Sequence, residues 1–385
     1  MSEMYSLIDF GRMIGDRARL DAYAAALRRV VRPDSTVLDI GAGTGIMSLL
    51  ACQAGARRVY AVEPSGAVQI LVDAARDNGF ADRVVVLQQR STEVTLPERA
   101  DVIVSDLRGV LPPHATHFAD LVDARRRLLS PAGRLLPTSD SLWLAVISAP
   151  EAFERRRSVW QSDPHGLTLR SAQRFIDNEL EKYRAGPDQL LCEPVLWANL
   201  DYPTLTDPAV RSSGTCVITK GGLAHGLLAW FDTVLVEGIG YSNAPGGPVD
   251  IYGQILFSWP EEVTLQVGDR VAFSLRADPI GSDYLWTWTT EVGRRDGDST
   301  AVTRFRQSTF KAFKPSRDSL RKRTSTFAPA LSAAGAEALQ VLEGMQAGRT
   351  IGEIAGHLLA AHPDRFPSLD HAHGFVAELA QRYGE

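Results

Sequence analysis

The segment from Val37 to Leu50, VLDIGAGTGIMSLL, constrains the fold of this chain more than any other. A run of strand-forming residues ends at Asp39, and Gly41, Gly43 and Gly45 follow before a helical pattern begins. Glycine suits such a turn because the backbone must bend tightly and approach a ligand closely, which a Cβ atom would obstruct. The segment therefore predicts a strand, a glycine turn that contacts a ligand, and a helix.

The spacing of the glycines distinguishes two kinds of ligand. A dinucleotide-binding turn has the pattern GxGxxG, and its third glycine would fall where this chain has Ile46. The next strand, RVYAVE, ends at Glu63, which is placed to accept hydrogen bonds from both hydroxyls of a ribose. We therefore predict a nucleoside ligand without a pyrophosphate. The alternative is a turn without ligand and Glu63 as a solvated strand end.

The pattern along the chain predicts several domains. Residues 1–30 carry apolar residues at helical spacing, and strands alternate with helices across 31–140, which indicates a Rossmann-like α/β domain with a parallel sheet. Short β-rich runs over 141–312 predict an antiparallel β-barrel or sandwich, interrupted by a helical stretch. A basic linker over 313–328 precedes three helical patterns in 329–385, which predict a small terminal domain.

Composition excludes several classes of protein. A chain of 385 residues is expected to form more than one core. It has no apolar run near the roughly 20 residues that span a bilayer, and its acidic N-terminus does not resemble a secretory signal, so we expect a cytoplasmic location. Three isolated cysteines indicate neither disulfides nor a metal site, and we expect no metal. The net charge of -5 disfavours binding to nucleic acid.

Five segments together resemble the protein arginine methyltransferase family, as a divergent, bacterial-type member. In order they are MIGDRARLDAY, VLDIGAGTGIMSLLACQAGARRVYAVEPS, EVTLPERADVIVSD, LLSPAGRLLP and LLAWFDTVLV. The resemblance implies a seven-stranded class I methyltransferase fold, S-adenosylmethionine as cofactor, and a β-barrel whose helical arm, here about 165–192, forms a homodimer. It also implies that Arg19, in the DxxR position, grips the methionine carboxylate, and that Thr92 and Ser105 belong to the cofactor site.

The chain departs from that family where the acceptor would bind. A guanidinium stays protonated above pH 12, so making it nucleophilic needs strong electrostatic help. The family provides two glutamates after strand four and a Thr-His-Trp segment from the barrel. Here Asp106 replaces the first glutamate, the second falls near Ala115 or Thr116, and Ile251, Tyr252 and Gly253 replace Thr-His-Trp. The departure predicts an acceptor other than a guanidinium.

The loop after strand four offers a different set of groups. A histidine with a pKa of about 6.5 can accept a proton from an amine with a pKa of about 8, so His114 or His117 would be the base and Asp106 would attract the ammonium. Arg108 would neutralise Asp106 or bind a substrate carboxylate, and Tyr252 would line the acceptor pocket. The alternatives are surface-loop histidines and a tyrosine that only packs.

The terminal segment is similar to the small winged-helix domain of the PqqD type, which holds leader peptides of ribosomally made natural products. The similar positions are Leu339, Leu342, Gly344, Thr350, Ile351, Ile354, Ala355, Phe375 and Leu379. The resemblances together imply an N-methyltransferase that acts on an amine of a peptide or protein, such as a natural-product precursor. The alternatives are a protein arginine methyltransferase with divergent loops and a non-catalytic scaffold that binds S-adenosylmethionine.

Overall fold

The computed structural model describes residues 5–248, 251–294, 303–312, 316–322 and 324–384. The chain divides into two units, Met1–Lys314 and Pro315–Glu385. The expected linker, 313–328, therefore lies partly outside the described residues. None of the helices in the described ranges has the length and apolar character needed to cross a membrane.

Two helices form the N-terminal segment, for which we predicted helical structure over residues 1–30. Helix α1 spans Leu7–Gly15 and helix α2 spans Arg17–Val30. Asp16 divides them because its side chain accepts a hydrogen bond from the Arg19 backbone N–H (3.3 Å) and so caps α2. Tyr23, on the inner face of α2, is fully buried in the core beneath it.

A parallel sheet carries the glycine turn. Its strands lie in the order β3-β2-β1-β4-β5. The elements of this layer are β1 (Thr36–Ile40), α3 (Ile46–Gln53), β2 (Arg58–Val62), α4 (Val68–Asp77), β3 (Val84–Leu87), β4 (Ala100–Ser105), α5 (His117–Arg127) and β5 (Leu129–Leu136). All five residues of β1 are buried because helices cover both faces of a parallel sheet.

The expected seven strands are not found in this sheet, which has five strands within the described residues. The chain leaves β5 and enters β6 (Ser139–Ile147) after two residues. Strand β6 pairs antiparallel with strands of the next domain instead of extending the parallel sheet. The domain boundary that we expected near residue 140 is therefore the point at which the chain passes from the parallel sheet to an antiparallel sheet.

Two antiparallel sheets follow. One joins β6 to β7 (Glu181–Tyr183), β8 (Val195–Asp201), β10 (Gly222–Val236), β11 (Ile239–Ser242) and β12 (Gln254–Leu265). The other has the order β15-β14-β13-β9 and contains β9 (Val210–Val217), β13 (Arg270–Ile280), β14 (Asp283–Gly293) and β15 (Thr303–Ser308). Both sheets contribute to one core, in which Trp259 and Trp288 are fully buried. The predicted β-rich domain thus has two sheets over a shared core.

The expected helical arm at 165–192 is mostly not helical. Helix α6 ends before it (Pro150–Gln161), and within it the structure has only short turns, the four-residue helix α7 (Gln173–Ile176) and strand β7. Glu181 in β7 is held by ion pairs from Arg155 and Arg156 of α6 (2.5 and 3.0 Å). The pairing of β7 with β12 and these ion pairs outweigh the helix propensity of the local sequence.

The terminal unit contains the three helices that the sequence predicted. The short helices α8 (Thr309–Ala312) and α9 (Arg317–Arg321) precede α10 (Ala333–Gln346), α11 (Ile351–Ala361) and α12 (Leu369–Tyr383). Their packing buries Val341, Ile354, Leu358 and Val376. Between residues 316 and 384 the described part of the chain has no strand, so the wing of a winged helix is absent there.

Candidate active site

The predicted cofactor residues converge at one edge of the parallel sheet. Strands β2, β1 and β4 are neighbours in the sheet. Glu63 follows β2, the glycine turn follows β1, and Ser105 is the last residue of β4. Ligands of open α/β sheets bind at this edge. These groups lie at neighbouring strand ends because parallel strands bring successive carboxyl ends to one edge, and their role in binding a cofactor stays a prediction.

The glycine turn has a backbone that other residues would not adopt. Gly43 has φ +54° and Gly45 has φ +88°, in the left-handed region. A Cβ atom on Gly43 would lie 2.6 Å from the Phe10 ring, and one on Gly45 would lie 2.1 Å from Leu71. Both conformation and space therefore require glycine, and Phe10 brings helix α1 against the turn.

Two carboxylates flank the turn. Glu63 accepts hydrogen bonds from the backbone N–H groups of Gly43 (3.1 Å) and Ser65 (2.9 Å), which fix its position and leave other lone pairs for ligand hydroxyls. Asp39 is buried and accepts a hydrogen bond from the Ser48 hydroxyl (2.7 Å). Burial raises the pKa of Asp39 to about 7, so a fraction of it is protonated near neutral pH.

Buried polar atoms without partners lie near these carboxylates. The Arg19 Nε and the Ser105 Oγ have no hydrogen-bond partner, although both residues are buried. Unpaired buried donors are costly, and a ligand with a charged carboxylate would satisfy an arginine Nε. The residues therefore fit a nucleoside that carries an amino-acid tail, as S-adenosylmethionine does.

Thr92 differs from the other predicted cofactor residues. It lies in an exposed turn beyond β3, the outermost strand of the sheet, with no recorded hydrogen bond to the described residues. Its role in the cofactor site stays a prediction.

Asp106, one residue after β4, is the centre of the candidate acceptor site. Arg19 donates a hydrogen bond from Nη1 to its Oδ2, and the Tyr252 hydroxyl lies 2.7 and 2.8 Å from its two oxygens. The Arg108 Nε lies 3.6 Å from Oδ1. Burial raises the pKa of Tyr252 well above its usual value, so its hydroxyl stays protonated and donates. The carboxylate is thus surrounded by donors from three parts of the chain.

Arg108 is buried, and its side chain has no solvent exposure. Its Nη1 lies 3.1 Å from the Asp140 Oδ1 and 3.2 Å from the Tyr241 hydroxyl, and it also bonds to the Thr233 hydroxyl. Of the two roles we expected for Arg108, neutralising Asp106 stays a prediction, and the acid to which Arg108 is hydrogen-bonded is Asp140. Binding a substrate carboxylate would require the Asp140 pair to break.

Tyr252, which we expected to line the acceptor pocket, donates to Asp106, and its role toward a substrate stays a prediction. Its ring is stacked parallel to Tyr241, with ring centres 6.2 Å apart. The adjacent Ile251 backbone N–H donates to Asp16 (2.9 Å), which ties this segment to the start of helix α2. Sequence reasoning missed Asp16, although it is the first residue of the DxxR motif that pointed to Arg19. It also missed Asp140, for which the sequence carries no signal.

The two loop histidines are not joined to Asp106 by any hydrogen bond within the described residues. His117 is buried at the start of α5 between Phe118 and Tyr202, and neither ring nitrogen has a partner. Burial lowers its pKa to about 3, so it is too weak a base to take a proton from an amine, which corrects our expectation. His114 is exposed and lies against Gly109. Its role as a base stays a prediction.

Comparison with known proteins agrees with this arrangement. The family model described as "Ribosomal protein L11 methyltransferase (PrmA)" matches residues 23–135. Protein arginine N-methyltransferase 6 of Xenopus tropicalis is 30% identical over 281 residues, which cover 69% of this chain and 82% of that protein. Human protein arginine N-methyltransferase 2 is 30% identical over 311 residues, which cover 75% and 72%.

Solved structures support the same fold. Arabidopsis thaliana protein arginine methyltransferase 10 superposes with a TM-score of 0.69 at 22% identity, covering 77% of this chain and 96% of that one. The Trypanosoma brucei PRMT1 enzyme-prozyme complex with AdoHcy gives a TM-score of 0.70 at 22% identity, covering 77% and 95%. The chain is therefore an S-adenosylmethionine-dependent methyltransferase that belongs to the protein arginine N-methyltransferase family.

Proposed function

We propose that this enzyme transfers a methyl group to a side-chain nitrogen of a protein or peptide, with the arginine guanidinium as the acceptor. The observation that carries the proposal is the 30% identity to protein arginine N-methyltransferase 6 over 82% of that protein. The match also covers 69% of this chain. Arginine therefore takes precedence over the amine acceptor that the loop sequence alone favoured.

The residues at the sheet edge would hold the cofactor. Glu63 would accept hydrogen bonds from the ribose hydroxyls, and Arg19 would pair with the methionine carboxylate through the Nε that has no partner within the protein. S-adenosylmethionine supplies an electrophilic methyl group on a sulfonium. The protein's contribution is to place the acceptor nitrogen in line with that methyl group, so most of the rate enhancement comes from positioning.

Asp106 and Tyr252 are the acceptor-side groups of this proposal. A carboxylate can hold a guanidinium through charge-assisted hydrogen bonds and orient the nitrogen that reacts. The Tyr252 hydroxyl, which now donates to Asp106, lies at the position from which it could contact the same nitrogen. The family's second glutamate has no counterpart, because Ala115 and Thr116 stand near its place.

A second candidate acceptor is a primary amine, and the single acid of the loop favours it. An amine with a pKa of about 8 is partly neutral at pH 7 to 8, so it needs less negative charge than a guanidinium does. Asp106 already faces Arg19 and Arg108. A peptide from a ribosomal natural-product pathway with a free terminal amine would be a substrate of this type.

One experiment separates the two acceptors. Three peptides of identical sequence, with arginine, lysine or citrulline at the central position and each with a free N-terminus, are incubated with the enzyme and S-adenosylmethionine. Mass spectrometry then locates the added methyl group. We expect it on the arginine side chain. Methylation of the lysine or of the N-terminal amine, with the arginine unmodified, would refute the arginine assignment and support the amine.

We also propose that the enzyme is a homodimer. Apolar side chains are exposed on and after helix α6, namely Val159 (62%), Leu167 (68%) and Leu169 (43%). Exposed apolar side chains on one segment favour contact with a partner chain when they form a contiguous patch. Sedimentation at micromolar concentration tests the proposal, and a monomer would contradict it. Val159→Asp together with Leu167→Asp is expected to produce that monomer, whereas Val267→Asp, also at an exposed position, is not.

A further inference from the structure

Four charged side chains form a chain of alternating sign behind the acceptor site. Arg19 pairs with Asp106, Asp106 faces Arg108 at 3.6 Å, and Arg108 pairs with Asp140 at 3.1 Å. Their formal charges sum to zero. The Asp106 side chain is 13% exposed, whereas the side chains of Arg108 and Asp140 have no solvent exposure.

Arg108 is held too firmly to leave when a substrate arrives. Its Nη1 contacts Asp140, Thr233 and Tyr241, and its guanidinium lies 5.3 Å from the centre of the Phe231 ring. Three of these four residues belong to β10 and β11, so the antiparallel domain fixes the position of a residue on the loop after β4. The Nε that faces Asp106 has no hydrogen bond to any of the described residues.

A resident guanidinium beside Asp106 has an electrostatic consequence. Opposite charges a few ångströms apart in a buried site interact strongly, so Arg108 lowers the negative potential that Asp106 presents to an incoming cation. An acceptor arginine would be a third guanidinium near one carboxylate. The acceptor's own charge would therefore contribute little to binding.

We propose that Arg108 is a specificity-determining residue that competes with the acceptor guanidinium for Asp106. The proposal deepens the arginine N-methyltransferase function and rests on it for the identity of the acceptor. It implies that short arginine peptides bind weakly and that most substrate affinity comes from contacts remote from the acceptor. The competing interpretation is that Arg108 only anchors the loop to the antiparallel domain.

The double variant Arg108→Met/Asp140→Asn distinguishes the two interpretations. It removes the buried pair as a unit, so it leaves no unpaired charge and keeps the net charge of the chain. Methionine packs well against the Phe231 and Tyr241 rings, and replacing a buried ion pair with neutral residues is often tolerated. Asp106 then loses its resident competitor.

The measurement is calorimetric binding of two pentapeptides to the enzyme loaded with S-adenosylhomocysteine, so that no methyl transfer is needed. One peptide has a central arginine and the other has citrulline, its uncharged analogue. We expect the double variant to bind the arginine peptide at least about tenfold more tightly than the wild type does, and the citrulline peptide equally well. Thr233→Val, which removes a neutral partner of Arg108 and keeps all four charges, is expected to change neither affinity.

The proposal would be overturned if the affinities for both peptides changed equally or if the affinity for the arginine peptide did not increase. A purely structural role of Arg108 would affect the binding of both peptides alike. If the double variant does not fold, Arg108→Gln/Asp140→Asn, which keeps hydrogen bonding to Thr233, is measured instead with the same criteria. The arginine-specific gain without any methylation of arginine by the wild type would defeat the proposed function but leave the role of Arg108 intact. Methylation of arginine by the wild type without that gain would support the proposed function and defeat the role of Arg108.

Discussion

At the scale of single residues, burial decides what each acid at the sheet edge can do. Glu63 is half-buried, and backbone N–H groups hold it. Asp39 is buried beside a single hydroxyl, which raises its pKa. Asp106 is surrounded by two arginines and a tyrosine. The three carboxylates thus differ in their hydrogen-bond partners and in their exposure because their surroundings differ.

Glu63→Ala is expected to weaken the binding of S-adenosylhomocysteine by about 1 to 3 kcal/mol, the scale of a lost hydrogen bond to a charged group. The reason is that Glu63 has lone pairs left for the ribose hydroxyls after the two backbone bonds. Titration calorimetry measures the change, and Asp73→Ala, at an exposed acid on helix α4, serves as the control. Unchanged affinity in Glu63→Ala would remove this residue from the cofactor site.

Asp39 is expected to make stability depend on pH. Its pKa is about 7 in the folded state and 3.8 is its ordinary value, so between these values the folded chain holds a proton that the unfolded chain has released. Raising the pH through this window therefore lowers the free energy of unfolding, by ~4 kcal/mol at most. Asp39→Asn keeps an acceptor for Ser48 and should remove this decline.

Denaturant unfolding at several pH values between 4 and 8 tests the effect of Asp39. Asp77→Asn, at an exposed position, is expected to behave as the wild type does. Identical pH profiles for Asp39→Asn and the wild type would show that Asp39 titrates normally.

At the scale of elements, the start of helix α2 joins the cofactor and acceptor sides. Asp16 caps the helix, its other oxygen accepts the Ile251 N–H, and Arg19 extends from the first turn of the same helix to Asp106. The start of helix α2 thereby positions both Arg19 and the backbone next to Tyr252. The DxxR spacing places the side chains of Asp16 and Arg19 within one helical turn. One turn of helix can therefore contact both the segment before Tyr252 and Asp106.

Asp16→Ala should cost more than an ordinary helix cap. Loss of an N-cap costs about 1 kcal/mol, and here the hydrogen bond to Ile251 is lost as well. Ser6→Ala, at the cap of α1, is the matched control because the hydrogen bonds of its side chain within the described residues go only to Asp9 of the same helix. We expect Asp16→Ala to lower stability further and also to raise the KM of the acceptor, since Tyr252 follows Ile251. Equal effects of the two variants on KM would contradict this role.

At the scale of the whole molecule, the chain contains a catalytic unit and a separate terminal unit, each with its own core. The terminal unit has acidic and apolar residues on its surface, including exposed Leu339 and Leu342. We propose that it binds a segment of the substrate peptide remote from the acceptor. This division agrees with an active site in which the acceptor's own charge contributes little.

Deleting residues 315–385 is expected to raise the KM of a long peptide substrate by about tenfold or more and to leave kcat nearly unchanged, because a docking unit contributes binding that is uniform along the reaction. Steady-state kinetics with long and short peptides measures this. The short peptide, which carries only the residues around the acceptor, serves as the internal control. A fall in kcat with both peptides would indicate that the terminal unit supports the catalytic unit instead.

The sequence by itself determined the features that depend on local pattern. The glycine turn, the acid after the second strand and the three terminal helices follow from spacing and periodicity, which operate over a few residues. These were enough to predict the α/β fold and the nucleoside cofactor, and the resemblance in motifs identified the family. The resemblance failed to give the number of strands in the parallel sheet, because β6 finds its partners in the other domain.

Only the tertiary structure decided which side chains meet at the acceptor site. Arg108 and Asp140 are 32 residues apart, and Arg108 and Thr233 are 125 apart, so no local pattern could pair them. His117 looked like a base in the loop sequence, but packing buries it between aromatic rings and lowers its pKa. Burial and long-range pairing set the charge of a group, and both arise only when distant segments pack together.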